Sequence, residues 1–327
     1  MTNTAKAEHR NRLPKVNGCQ MQNFINRRQL LRRTALLVGA LTATAFATAF
    51  AAPPASSPKR IPPKPVTARP PQTVIYALGA SLFLQDLDGS APREEKLELP
   101  AGSKIEYLSG ARDGQTLSFG VKQSVYFYNT QSKTLTLVQP QDGGKYLYPS
   151  ISPDGQSVSC RPYRAEATLC ILGRDGAVRD LGASTKGATK SRFTPDGQTI
   201  YFSTGPNLMR IAVKGGEAEL VVRGNYIENF AINAQGLLVA PVPGESSVRP
   251  VLIDAAGQKT PLTFEPKDFN NPTWSPGGTS VAFSLRPRYG GESNAQGLYI
   301  WKNIVTQTQT RKVSDAQSNG ESGFVWR

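Results

Sequence analysis

Tyr148-Pro-Ser-Ile-Ser-Pro-Asp-Gly155 reads as a strand end running into a tight turn. Proline presets φ at position 153, the Asp154 side chain caps the turn, and Gly155 takes a backbone angle that other residues resist. The phrase returns as Ser191-Arg-Phe-Thr-Pro-Asp-Gly197 and Asn271-Pro-Thr-Trp-Ser-Pro-Gly-Gly278, and in decayed form as Ala111-Arg-Asp-Gly114 and Asn233-Ala-Gln-Gly236. The five closing glycines stand 41, 42, 39 and 42 residues apart. Each is followed by an apolar run, such as Thr116–Val121, Ser157–Cys160, Thr199–Ser203 or Ser280–Ser284, and then by further short runs, such as Ser124–Tyr128, Glu219–Val222 and Gly297–Trp301. A period of about 40–45 residues filled only with short strands is the signature of a β-propeller, one four-stranded blade per repeat.

The ends of the repeated body predict how the ring closes. Residues 73–99 supply three strands, Val74–Ala77, Ser81–Leu84 and Lys96–Leu99, with no turn phrase before them. Residues 321–327 match a first strand and stop where the turn phrase would begin, with Trp326 in the place of Trp274. The strand missing at one end is the surplus strand at the other, so pairing them closes the sheet array and leaves no exposed edge. The expected fold is all-β: a six-bladed propeller over 73–327, closed by pairing the C-terminal strand with the three N-terminal ones.

Ahead of this body, residues 1–51 read as an export signal. A basic start precedes Thr34–Phe50, which carries no charge, and Ala49-Phe50-Ala51 fits a small-residue cleavage pattern with Ala52 as the first mature residue. Asn26-Arg27-Arg28-Gln29-Leu30-Leu31-Arg32 resembles the twin-arginine signal, Ser/Thr-Arg-Arg-x-Phe-Leu-Lys: Arg27 and Arg28 match, and Asn26 departs. A general secretion signal and an uncleaved anchor are the alternatives. Residues 52–72 form a Pro-rich linker carrying Lys59, Arg60, Lys64 and Arg69 and no acid; this composition stays extended because it has almost nothing to bury. It reads as a spacer or as a basic arm for peripheral contact with a partner or an anionic surface.

The division changes the meaning of the composition. The chain of 327 residues has a formal net charge of +14, but eight basic residues against one acid fall in 1–51, and 73–327 holds 26 basic against 23 acidic residues. The basic balance therefore gives no reason to expect nucleic acid. His9, the only histidine, lies in the leader. A Ser-His-Asp triad and a His-ligated metal site are thus excluded from the mature chain, and no cofactor or metal is expected.

The turn phrases at 148–155, 191–197 and 271–278 resemble the WD-like repeat of the TolB-type propeller, and the resemblance covers nearly all of residues 73–327. It implies a periplasmic or otherwise exported scaffold that binds a partner protein or a cell-envelope component through its channel-face loops. TolB itself is a partner in the Tol-Pal system and carries an additional N-terminal α/β domain; here the Pro-rich linker stands in that position.

Two further function classes stay open: a glycan-active enzyme using carboxylates or Tyr with Arg, and a glycan or small-ligand binding module. Ser152-Pro-Asp154-Gly155 is one residue shorter between Asp and Gly than the sialidase Asp box, and no nucleophile-elbow motif is present, so the expected reading is not an enzyme. Recognition on a propeller falls on the loops around the channel. The candidates there are Lys145, Tyr146, Tyr148, Arg161, Tyr163, Arg164, Tyr226 and Phe269, with Arg286, Arg288 and Tyr289 in a loop about ten residues longer than its counterparts. Tyr and Arg are favoured interface anchors. Cys160 and Cys170 fall on consecutive strands of one blade, where a disulfide and a pair of buried thiols are both open. Replacing Arg27 and Arg28 together with Lys is expected to abolish export, read as loss of processed protein from the periplasmic fraction; unchanged export would remove the twin-arginine reading.

Overall fold

The computed structural model describes residues 72–224, 227, 229–243, 248–262, 269–285, 297–304, 310–314 and 323–327. The export signal with Arg27 and Arg28, all of the linker but residue 72, and the candidates Tyr226, Arg286, Arg288 and Tyr289 lie outside the described residues.

Six four-stranded antiparallel sheets form the blades. Blade 1 holds β1 (Thr73–Leu78), β2 (Ser81–Asp86) and β3 (Arg93–Lys96). Blade 2 holds β4 (Glu106–Gly110), β5 (Thr116–Val121), β6 (Ser124–Asn129) and β7 (Thr134–Leu137). Blade 3 runs through β8 (Tyr146–Ile151), β9 (Ser157–Pro162), β10 (Cys170–Gly173) and β11 (Val178–Asp180). Blade 4 has β12 (Ala188–Phe193), β13 (Thr199–Thr204), β14 (Asn207–Ala212) and β15 (Glu219–Val222). Blade 5 has β16 (Ala231–Ile232), β17 (Leu238–Pro243), β18 (Val248–Ile253) and β19 (Lys259–Pro261). Blade 6 has β20 (Phe269–Trp274), β21 (Val281–Leu285), β22 (Gly297–Trp301) and β23 (Thr310–Ser314), and β24 (Val325–Trp326) returns to blade 1.

The closure is the expected one. Val74 pairs with Trp326 and Ile75 with Val325 in the antiparallel β1–β24 ladder, and Thr73 and Arg327 exchange backbone hydrogen bonds of 3.0 and 2.9 Å. The first strands touch in the circuit β24, β4, β8, β12, β16, β20 and back to β24. One strand lies elsewhere than its sequence suggested: the third strand of blade 1 is Arg93–Lys96, not Lys96–Leu99. A hairpin register sets it, with Ser81 opposite Lys96 and Leu84 opposite Arg93. Leu97 and Leu99 instead pack against the buried cluster between blades 1 and 2 on the way to β4.

The turn phrases fold as their chemistry dictates. The Asp154 carboxylate accepts from the Ser152 hydroxyl at 2.6 Å and from Gln156 N–H at 3.0 Å, while Gly155 sits at φ +71°. Asp196 does the same with Thr194 and Gln198. These bonds hold both carboxyls below the usual aspartate range, the hydroxyl being the larger cause.

Each blade has two apolar faces, and the buried residues fall into six clusters, one between each pair of neighbours. Leu117, Phe119 and Tyr126 of blade 2 meet Ile75, Leu82 and Leu84 of blade 1; Val74, Phe324 and Trp326 of blade 1 meet Ala282, Leu298 and Ile300 of blade 6. This explains why β5 is buried at every position instead of alternating. Removing residues 323–327 would uncover Phe324, Val325 and Trp326, all buried, and the β1 edge. At about 1.5–3 kcal/mol per large apolar side chain, the loss approaches the 5–15 kcal/mol of a whole domain. The truncated chain is expected to lose most of its denaturant midpoint or to aggregate; an unchanged midpoint would contradict closure through β24.

Candidate partner-binding channel

Counting back from each phrase glycine places equivalent residues on the channel wall. Seven positions back stand Tyr107, Tyr148, Lys190, Asn229 and Asn271, and the equivalent on β24's approach is Gly323. All six line the channel. The first strands present them through a recurrent irregularity: the inner ladder shifts register between Glu106 and Ser109, Leu147 and Ser150, Ala188 and Ser191, and Asn270 and Thr273. Such bulges bend a strand and re-aim its side chains. Tyr107, Tyr148 and Asn271 adopt φ of 55°, 58° and 48°, a conformation that bulky residues rarely take and that clusters at binding sites.

Five positions back, a second ring follows: Ser109, Ser150, Arg192, Ala231, Thr273 and Val325. Below it the turn phrases contribute Arg112, Pro153, Pro195, Ala234 and Pro276. The enclosed volume is about 310 Å³. Lys190, Arg192 and Arg112 supply positive charge, and the described lining contains no Asp, Glu, His or Cys.

The upper ring is cross-linked. The Tyr107 and Tyr148 rings meet edge to face at 4.8 Å, Lys190 Nζ lies 6.0 Å from the Tyr107 ring centre, and the same ammonium donates to Asn229 Oδ1 at 2.6 Å. Asn229 Nδ2 passes the chain on to Asn270 Oδ1 at 2.8 Å. Arg192 differs: among the described residues its Nη1 donates to the Ser191 carbonyl at 2.9 Å, and no carboxylate pairs with it. Burial pulls its pKa down to about 10, so it remains charged at neutral pH. A Cβ built on Gly323, in the blade opposite, would lie 3.9 Å from Arg192 Nη2, so the guanidinium reaches across the channel.

The expected contact residues divide into three groups. Tyr148 is in the upper ring. Lys145, Arg161, Tyr163 and Arg164 gather beside it at the end of the β8–β9 hairpin, where Tyr163 N–H donates to the Lys145 carbonyl at 2.7 Å and Tyr163 is 58% exposed. Tyr146 and Phe269 are inside the protein, each 1% exposed. The Tyr146 hydroxyl donates to Asp142 at 2.6 Å, and Phe269 packs on Phe283, with ring centres 4.9 Å apart. Burial, reinforced by the Asp142 bond, pushes the Tyr146 pKa up, and neither side chain takes part in the channel face. Sequence reasoning missed Tyr107, Lys190, Arg192, Asn229 and Asn271; their fixed offset from the phrase glycine was the signal. A second, outer groove of about 1030 Å³ between blades 1 and 2 mixes charges of both signs, including Glu94, Glu95 and Lys133.

Cys160 and Cys170 are directly opposite each other on β9 and β10, with both thiols buried and free. The sulfurs are 3.6 Å apart, well beyond a disulfide bond of about 2.05 Å, and burial first, then the Cys170 contact, pushes the Cys160 thiol up. Iodoacetamide treatment of the Ala52–Arg327 form, denatured without reductant, is expected to add two adducts; no adducts without reductant and two with it would establish the disulfide.

No protein-family model and no curated protein sequence matches this chain. Solved structures do. TolB from Acinetobacter baumannii superposes with a TM-score of 0.62 at 19% identity, covering 78% of this chain, which spans 66% of that protein. A putative TolB from Agrobacterium tumefaciens gives 0.60 at 12% identity over 79% of this chain and 98% of its own, and a chain from a nidogen–laminin complex gives 0.57 at 13% identity over 74% and 93%. The likeness lies in the fold: this chain is a six-bladed β-propeller of the architecture seen in the TolB structures.

Proposed function

We propose that this protein is an exported, non-catalytic propeller that binds a protein of the cell envelope through the channel face. The composition of the channel wall carries the reading: tyrosines, amides and cations converge there, and the described lining has no carboxylate. Tyr and Arg anchor interfaces, because they bury large area and still make directed hydrogen bonds. Glycoside hydrolysis ordinarily needs two carboxyl groups about 5–10 Å apart, which this lining does not offer, so the binding reading is favoured over the glycan-active enzyme. The nidogen–laminin neighbour comes from a protein complex, which is in keeping with a propeller serving as a docking body. The periplasmic destination rests on the signal at residues 1–51.

Immobilised Ala52–Arg327 is expected to retain a discrete envelope protein from a detergent extract. Retention should survive deletion of residues 52–71 if that segment is a spacer. The paired change Tyr163→Ala with Arg164→Ala, on exposed side chains, should weaken it by about tenfold, as for interface anchors worth 1–2 kcal/mol. Retention of no envelope protein, or retention indifferent to this pair and to Arg288→Ala with Tyr289→Ala, would overturn the reading.

A further inference from the structure

We infer that the channel seats an acidic peptide segment, with one of its carboxylates held by Arg192. The inference rests on the partner-binding reading and gives the partner a chemistry. Arg192 is the only charged member of the second ring, and its companions Ser109, Ser150, Ala231, Thr273 and Val325 are small enough to leave space beside it. One of its donors is used by the Ser191 carbonyl, and a guanidinium has five. Arg192 is half-buried; a charge partly withdrawn from bulk water without a counter-charge is costly, and a carboxylate accepting two parallel N–H bonds is the group that offsets this best.

The surroundings select the same sign. Lys190 stands in the ring above on the same strand and Arg112 in the turn of blade 2 below, so positive charge lines the channel at three levels, and low-dielectric walls focus such a field on an entering anion. Gly323 keeps the wall opposite Arg192 free of a side chain. The channel's 310 Å³ lies at the small end of the roughly 300–1,000 Å³ typical of ligand pockets, which suits an extended segment or a single side chain instead of a folded surface. The upper ring, with two tyrosines and two asparagines, offers hydroxyl and amide groups of the kind that accompany an extended peptide backbone. Sugar hydroxyls would be met best by carboxylate acceptors, which the described lining lacks, so an acidic peptide is favoured over an acidic glycan.

The probe is a fluorescein-labelled nonapeptide of alternating Glu and Gly, compared with its Gln counterpart, binding to Ala52–Arg327 in fluorescence polarisation. The Glu peptide is expected to bind at least tenfold more tightly, with the gap narrowing in high salt. Arg192→Gln should remove the gap, Arg192→Lys should restore part of it, and Lys259→Gln, on the far edge of blade 5, should leave it unchanged. Circular dichroism and the denaturant midpoint establish that the variants are folded; the wild-type comparison stands without them. Equal or undetectable binding of the two peptides, or a gap that persists in folded Arg192→Gln, overturns the inference. So does tighter, Arg192-dependent binding of oligogalacturonate, which would make the ligand an acidic glycan, or full competition by millimolar phosphate, which would make it a free anion. If an envelope protein is retained but the Glu peptide is not preferred, only this inference fails; if the peptide is preferred and no envelope protein is retained, the proposed function fails.

Discussion

Every blade must cover two apolar faces, and no blade can do so alone. A four-stranded sheet buried on one side leaves the other to water, so each added blade satisfies its predecessor and creates a new unsatisfied face. Only closure ends the series. Six interfacial clusters are the outcome, the one between blades 6 and 1 setting Val74, Tyr76, Phe324 and Trp326 of blade 1, contributed by β1 and by β24 with its approach, against Ala282, Leu298 and Ile300 of blade 6. The channel exists because closure holds six inner strands around one axis, and the positions of Tyr107, Lys190 and Arg192 follow from it.

Much of this architecture was written in the spacing of turn glycines. The decayed phrases kept their function by substituting parts: Asp113 bonds the N–H groups of Gln115 and Thr116, and in Asn233-Ala-Gln-Gly236 the Asn233 side chain takes those of Gln235 and Leu237. What stayed hidden follows from double-sided burial. Where both faces of a strand are covered, period-two alternation disappears, so an aromatic residue at a strand start does not reveal which way it points. Tyr146 and Phe269 looked like rim residues and are core, while Tyr148, two positions after Tyr146, does reach the channel. The third strand of blade 1 was misplaced because outer strands are short and polar and are fixed by hairpin register more than by composition.

The repeats hold some positions constant and release others. The turn glycines and the buried middle strands maintain the ring. The positions seven and five residues before the five glycines, with the equivalent Gly323 and Val325, read Tyr, Tyr, Lys, Asn, Asn, Gly and Ser, Ser, Arg, Ala, Thr, Val. Near-sixfold geometry thereby carries a wall with no symmetry of its own, which is what directional recognition of one ligand requires. The tyrosines and Asn271 at positive φ add a second constraint, since the bulges that strain them are what turn them inward.

The β1–β24 ladder also sets a timetable. Val74 and Trp326 are separated by nearly the whole ring, whereas the other blades are assembled from strands close together in sequence. Pairings of such long separation form slowly, because the loop entropy is lost before any contact compensates for it. Five blades can assemble locally as the chain emerges, but blade 1 waits for Val325 and Trp326. Until then the β1 edge and the unfilled face of blade 6 are open to other chains. The ring is therefore complete only once β24 has paired with β1.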